Sequence, residues 1–394
     1  MSENIKVKLL VFLRYLGDSF FYPFLSLYLN TLLLGEAKIG FLISLVPLIS
    51  IICNPIYSKI TRNSKILKQL LVIIGIVEAI FIMLIGFSSN YYLVLVLIIM
   101  ISISGCSHYG LMDSLMTIHA KNHNLSFSSF RIYGSLAYVF GTAISGILAK
   151  NLGYSFCFII SAILFILTSL IYLLLKPLYS NDGKQREEKR SFKEVFSNKG
   201  CIAFIIFYVL LYGIIRASTN FYSLLLDNRG IGSDIYGFVF SGVVIIEVIT
   251  MIILNKLDKK LNYKIVFLLG IIAISATCLI NGSNLSNTFL IAFWSLRGIA
   301  IAIAFHLNYK VLVKIIGIKN ITIVSLLEEL AINVLYIVTS FFGGRVIEFI
   351  SYNAFYLGLA ALGIIAIIYY VIFVMKYVQK NDNLDLVRSV WKLK

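Results

Sequence analysis

Twelve stretches of the chain are almost wholly apolar, and each has the length of a membrane-crossing helix, which needs roughly 20 such residues. They run over 7–30, 38–60, 67–87, 91–118, 129–150, 154–177, 201–226, 234–255, 263–282, 288–312, 320–342 and 352–377. Most of the connections are short, as between antiparallel neighbours in a bundle. Two polar segments break the rhythm. Residues 178–200 (LYSNDGKQREEKRSFKEVFSNKG) make a charged central loop, and 379–394 make a tail. The tail's end, LDLVRSVWKLK, reads either as a short amphipathic helix at the membrane surface or as a solvated strand of chain. The pattern predicts an all-α polytopic membrane protein with a six-helix bundle over 1–177, a central loop over 178–200, a second six-helix bundle over 201–378 and a tail over 379–394.

Basic residues fall in alternate connections. The loops after the second, fourth, sixth, eighth and tenth runs hold Arg62, Lys65, Lys68, Lys121, Lys184, Arg186, Lys189, Arg190, Lys193, Lys256, Lys259, Lys260, Lys314 and Lys319. The opposite loops hold few, among them Lys38, Lys150, Arg229 and Arg345. By the positive-inside rule both termini and the central loop are cytoplasmic, in a protein that crosses the plasma membrane many times. The first run is long enough to span and lacks a small-residue cleavage site, so no cleavable leader is expected.

Composition agrees with this picture. Of the 394 residues 60% are hydrophobic and 13% charged, against roughly 25% charged in an ordinary soluble domain. The net charge of +16 lies in the alternate loops rather than on one face, which argues against a nucleic-acid partner. Cys53, Cys106, Cys157, Cys201 and Cys278 sit in or beside apolar runs with no CxxC and no Cys/His cluster, so neither a metal, a cofactor nor a disulfide framework is expected. The chain contains no GxxxxGK[ST], HExxH or GxSxG, and its outer loops are only a few residues long. A membrane-embedded glycan enzyme is therefore disfavoured.

The halves repeat. LGEAKIGFLIS (34–44) is similar to IGSDIYGFVFS (231–241), which sets Gly40 against Gly237. The same offset sets Lys59 against Lys256 and Gly146 against Gly343. Six-plus-six repeats of this kind enclose a site near the bilayer midplane.

Ionisable groups deep in apolar runs are expensive in lipid and mark a pathway or binding site by default. Six acids are so placed: Asp18, Glu78, Asp113, Glu247, Glu328 and Glu329. Four cations oppose them: Arg14, Arg131, Arg216 and Arg297. The stretch Gly110–Tyr138 organises the set, with Asp113 near the end of one run and Arg131 opening the next. A carboxylate accepts from a ligand's hydroxyls while a guanidinium donates a planar fork, so the two divide the work of gripping a polar solute. The bland alternative is an ion pair tying two helices. Tyr138 follows Arg131 by about two helical turns and faces the same way, as a stacking ring or a packing one. His108 and His306 lie in the fourth and tenth runs, either as proton relays or as hydrogen-bonded interior groups. An unpaired buried acid takes up a proton, and Glu247, Asp18 and Glu329 are the candidates to carry it. Asp18 also stands one turn after Arg14, as an i, i+4 pair would. Glu78 is expected to find a contact inside its own half. Glu328 and Glu329 point about 100° apart, so only one faces Arg216; the structural pair is assigned to Arg216 and Glu328.

These features resemble the major facilitator superfamily, in the branch of lactose-permease and phenylpropionate-permease-like transporters. The likeness rests on YPFLSLYLNTLLLGEAKIGFLISLVPLISIICNPIYSKI (22–60), on the Asp113 to Arg131 spacing, and on GGRVIEFISYNAFYLGLAALG (343–363). It implies a solute:proton symporter working by alternating access, acting as a monomer on a sugar, oligosaccharide, nucleoside or aromatic acid. It also implies that Asp113 and Arg131 bind solute, that Tyr138 replaces a stacking tryptophan, and that Arg297 lines the cavity with His108. The chain departs from the branch where a histidine and a glutamate are usual in the tenth helix: here stand Arg297 and Ala300, so a coupling proton needs another acid. The loop PIYSKITRNSK (55–65) lacks the usual acid, whereas KLDKK (256–260) keeps it as Asp258. A drug:proton antiporter of the same fold is the alternative; the fifth run has Gly134, Gly141 and Gly146 but not the proline usual in exporters.

Overall fold

The computed structural model describes residues 2–61, 64–123, 125, 127–176 and 192–378. The central loop through residue 191 and the tail 379–394 lie outside the described residues, as does Arg62. Among the described residues the chain is helical throughout. In order the helices are α1 Glu3–Phe21, α2 Leu25–Thr31, α3 Glu36–Ile60, α4 Ser64–Ile85, α5 Tyr91–Gly105, α6 His108–Asn122, α7 Ser128–Leu152 and α8 Tyr154–Leu174. They continue as α9 Phe192–Ser197, α10 Lys199–Asn220, α11 Tyr222–Asn228, α12 Ser233–Leu257, α13 Tyr263–Asn281, α14 Asn287–Trp294, α15 Leu296–Ile316, α16 Ile321–Phe349 and α17 Tyr352–Tyr369. Residues 192–197 and 199–200, read as loop from their charge, are helical: α9 buries Val195, and Asn198 between them caps α10 by accepting from the Cys201 amide.

Eleven helices among the described residues are long and apolar enough to cross a membrane. The first run is not one of them. Arg14 and Asp18 lower its hydropathy, and Pro23 in a 3-10 turn over Tyr22–Phe24 divides it into α1 and α2. The fourth, seventh and tenth runs are also interrupted, at Cys106–Ser107, Phe221 and Ser295. Polar side chains gather beside each interruption: Arg14 and Asp18, His108, Arg216 and Asn220, and Arg297. The chain is a multi-pass membrane protein whose outward faces carry large exposed apolar residues such as Ile73, Phe140, Ile253 and Phe373.

Two compact units form, one of Met1–Asp182 with Ser223–Ser241, the other of Gly183–Tyr222 with Gly242–Lys394. In the first, α1 packs on α7 and α8, α4 on α5 and α8, and α3 on α5. Gly134 of α7 makes the approach to α1 possible, because a Cβ there would fall 2.6 Å from the Tyr15 ring. The start of α1 is tied to the end of α8 where Lys6 donates to the Leu174 carbonyl (2.9 Å). In the second unit, α13 packs on α15 and α17, and α10 on α15, α16 and α17.

Candidate functional site

In the first unit, Arg14 is the hub of a network whose charged members, Arg14, Asp18 and Glu78, have no exposure to solvent. The apolar faces of α1, α4 and α8 bury it, and its guanidinium lies over the Phe165 ring, 3.9 Å from the centroid. It grips Glu78 of α4 with both terminal nitrogens, at 2.7 and 3.0 Å. It also reaches Asp18 one turn along its own helix, at 3.1 Å and 3.2 Å. Tyr22 donates to Glu78 (2.9 Å), and Tyr109 of α6 donates to Asp18 (2.5 Å). His108 places Nδ1 3.4 Å from Arg14 and Nε2 3.3 Å from the Tyr172 hydroxyl. A guanidinium only donates, so the contact with Arg14 is a hydrogen bond in the tautomer whose Nδ1 accepts and whose Nε2 carries the hydrogen. A buried ion pair left half-made costs several kcal/mol, and here every charge has partners. Glu78 finds its contact within its own unit, with the Arg14 that α1 supplies.

A second, more open pair lies beside this network. Asp113 of α6 and Arg131 of α7 stand 3.7 Å apart, with 42% and 46% of their side chains exposed. At that separation they attract without a hydrogen bond, and Asp113 Oδ1 accepts none among the described residues. The Arg131 guanidinium lies over the Tyr15 ring, 4.8 Å from its centroid. Tyr15 packs on Tyr109, ring centroids 5.2 Å apart. The open pair is thus joined to Asp18 through two aromatic side chains, from Arg131 to Tyr15 to Tyr109. Tyr138, half-buried on α7, packs at the edge of the same cluster, its ring 5.9 Å from that of Phe240. The structure therefore gathers Asp113, Arg131 and Tyr138 in one unit with Asp18 and His108. His108 itself is 1% exposed, held among Arg14, Glu78 and Tyr172 rather than facing solvent with Asp113.

The second unit holds the remaining candidates. Arg216 of α10 meets Glu329 of α16 at 3.8 Å and donates to Asn333 (3.1 Å), which in turn donates to Glu329 (3.1 Å). The partner of Arg216 is therefore Glu329, not Glu328. The 100° between successive helical residues decides it, since it turns Glu328 into the protein, where it accepts from Asn308 of α15 (2.8 Å). Arg297, 7% exposed, lies over the Trp294 ring, 5.4 Å from the centroid, and reaches the Ile215 carbonyl at 3.4 Å. Glu247 is half-buried on α12. Its helix comes close to the start of α15 because Gly298 has no Cβ, which would press on the Val243 carbonyl and the Glu247 amide. That approach brings the helix of Glu247 alongside the turn that carries Arg297.

Asp258, outside the spanning segments, locks the connection after α12. It accepts from Lys310 (2.8 Å) and Tyr263 (3.0 Å), with His306 3.4 Å away. Burial pushes its carboxyl up, but the hydrogen bond and charge of Lys310, helped by Tyr263, outweigh this and hold it below the usual carboxylate range. The lone acid of that loop was visible in the sequence; Lys310, 52 residues on, was not. His306 belongs to this polar cluster. No group of three or more metal-ligating side chains occurs among the described residues.

The chain matches the model of the MFS_1 like family over residues 4–327. It is 22% identical to the maltose permease of Geobacillus stearothermophilus over 223 residues, 56% of each chain. It is 22% identical to the sucrose permease of Escherichia coli over 182 residues, 43% of this chain and 42% of that one. The chain spans about half the length of the curated relatives it matches. Among solved structures, the nucleoside transporter NupG superposes with a TM-score of 0.80 at 16% identity, covering 94% of this chain and 98% of that one. A bacterial homologue of the iron transporter ferroportin, in an inward-facing state, gives 0.74 at 13% identity over 96% and 100%. Likeness at these identities speaks to fold, and that fold is the one named by the match over most of the chain: the protein belongs to the MFS_1 like family of the major facilitator superfamily.

Proposed function

We propose that the protein is a secondary transporter that moves a small polar solute together with protons by alternating access. The solute class is a sugar, oligosaccharide or nucleoside, with an aromatic acid as the anionic variant. The observation that carries the reading is the Asp113–Arg131 pair. Two opposite charges from neighbouring helices stand half-exposed and loosely apart, in a protein whose other deep charges in the same unit are fully sealed. A pair meant only to tie α6 to α7 gains by closing to hydrogen-bond distance and excluding water. An open one leaves a carboxylate and a guanidinium within reach of a ligand's hydroxyls. Tyr138 is the further solute contact beside Asp113 and Arg131 in this reading, Arg297 is the second unit's own candidate contact, and His108 acts behind Asp113 through the network.

The proton side of the reading rests on charge balance. Asp18 and Glu78 share one guanidinium in a site closed to water, so the network is neutral when one extra proton is bound. Asp18 is the acid that Tyr109 and Tyr15 connect to Arg131, which makes it the natural place for solute binding to be felt. Glu247 and Glu329 are the coupling candidates of the second unit. Maltose and sucrose permeases among the relatives and a nucleoside transporter among the solved folds favour the polar-solute class. By loop charge both termini are cytoplasmic.

The test is a thermal-shift screen of the purified protein against sugars, nucleosides and aromatic acids, repeated with Asp113→Asn. A ligand that stabilises the native chain and not the variant supports the reading. A ligand that stabilises both equally places solute binding elsewhere, and stabilisation only by hydrophobic cations favours export of such compounds instead.

A further inference from the structure

Glu328 is a deeply buried acid with little to satisfy it among the described residues. Its side chain is 3% exposed. Oε2 accepts one hydrogen bond, from Asn308 Nδ2 at 2.8 Å, and Oε1 has no hydrogen-bond partner among the described residues. Asn308 shows the mirror-image defect: its Oδ1 is buried and without a donor. Among the described residues, the groups around the carboxyl bring no positive charge. On α10 they are Tyr208 and Cys201, both buried and both within electrostatic reach of it; on α15 it is Asn308. Glu329, the next residue of α16, is turned toward Arg216, whose charge it engages.

An ionised carboxylate in that position would face the full desolvation penalty with a single neutral amide to offset it, which buried charges do not survive. Tyr208 also hydrogen-bonds Asn308, yet Glu328 Oε1 and Asn308 Oδ1 both remain without a donor among the described residues, and two orphaned acceptors on touching side chains point to one missing hydrogen. A proton on Oε1 satisfies both atoms together: Oε1–H donates to Asn308 Oδ1 while Asn308 Nδ2–H donates to Oε2. The result is a closed carboxylic acid–carboxamide ring in which each polar atom facing the other residue is used, in keeping with the rule that buried polar groups are hydrogen-bonded.

We infer that Glu328 and Asn308 form a proton-binding site in the second unit, bridging α16 and α15, and that this site carries a proton in the transport cycle. Sequence assigned Glu328 to a fixed ion pair. The structure leaves that pair to Glu329 and gives Glu328 a neutral partner whose single donated hydrogen bond does not offset the burial of a charge. When α15 and α16 separate, the ring opens, water reaches the carboxyl and the proton leaves; when they close, an ionised Glu328 cannot re-enter. The bound proton does not depend on the transport reading. Its being carried does.

Infrared spectroscopy of the purified protein at neutral pH, labelled with carbonyl-13C glutamate to separate glutamate from aspartate, tests the site directly. A protonated-glutamate C=O band is expected in the native protein, lost in Glu328→Gln, and moved to higher frequency in Asn308→Leu as its hydrogen bonds vanish. A native spectrum without that band, or one in which neither substitution changes it, overturns the inference. The carried role is read in vesicles of the full chain with an imposed pH gradient, using the solute found in the thermal-shift screen. Glu328→Gln is expected to lose gradient-driven uptake to background; uptake equal to the native level removes the role while leaving the bound proton. Native protein that takes up no solute fails the transport reading instead, and the infrared result stands apart from it.

Discussion

Glu78 in the first unit and Glu328 in the second are the same residue at nearly the same burial, 0% and 3% exposed, yet they live in opposite surroundings. Glu78 accepts two charge-assisted bonds from Arg14 and one from Tyr22. Glu328 accepts one bond from a neutral amide. Burial penalises the charged form of a carboxyl in both places, and only what faces it decides whether the charge is repaid. The ion pair around Glu78 is a joint that ties α1 to α4, with α6 and α8 packed on it. The second site is the one we infer to hold a proton. Deep charge in a membrane protein therefore has two uses that hydropathy cannot separate: fixing helices together, and binding an ion that comes and goes.

The largest effect that would break this contrast is expected at Arg14. Arg14→Met strands Asp18 and Glu78 together, and removing one partner of a buried ionic network costs about 3–5 kcal/mol. Thermal unfolding in detergent should show a drop large enough to impair expression, with part of it recovered by Glu78→Gln in the same chain. A variant as stable as the native protein would mean that the network is not the joint described. Next comes the open pair. Asp113→Asn removes a charged acceptor worth about 1.5–3 kcal/mol to a bound hydroxyl. Titration of the ligand from the screen should weaken by about 10-fold to 100-fold on that basis, with the apo melting temperature nearly unchanged; a falling melting temperature with intact affinity would make the pair a structural tie.

Smaller still is the effect at Asp258, whose charge-assisted bond to Lys310 is worth about 1.5 kcal/mol. Its folded pKa is depressed, so the stability it adds is present above its unfolded value of about 3.9 and is lost as pH falls through the folded value. Asp258→Asn should melt earlier than the native protein at neutral pH and alike at pH values well below 4. A gap that persists in acid would assign the cost to packing rather than charge. The least change is expected from Glu329→Gln. Its pair with Arg216 is 3.8 Å long, with 35% of the arginine side chain and 57% of the glutamate exposed, and such pairs contribute about 0–1 kcal/mol. A destabilisation like that of Arg14→Met would erase the distinction between sealed and open charge.

The membrane class, most of the spans and the charged residues of interest follow from one-dimensional information. A run of about 20 apolar residues has little choice but to be a helix in lipid, because no water is available to satisfy its backbone. The Arg14–Asp18 contact was legible for the same reason, since i, i+4 spacing is fixed within one helix. The first run falls short of the apolar threshold that eleven helices among the described residues meet, because residues that matter to the site also dilute its apolar character.

Contacts between helices were another matter. Glu78 lies 64 residues from Arg14, and its pairing depends on the rotation of α4 about its own axis, which a nearly uniform apolar sequence does not encode. The same holds for Glu328 and Glu329, where a 100° step sends one to Arg216 and the other to Asn308. Sequence alone determined that charges would be buried, and roughly where along the membrane normal. Only tertiary packing decided which charge met an opposite charge and which met an amide, because that choice belongs to the helix rotations and close approaches, such as those at Gly134 and Gly298, that bring distant side chains within reach.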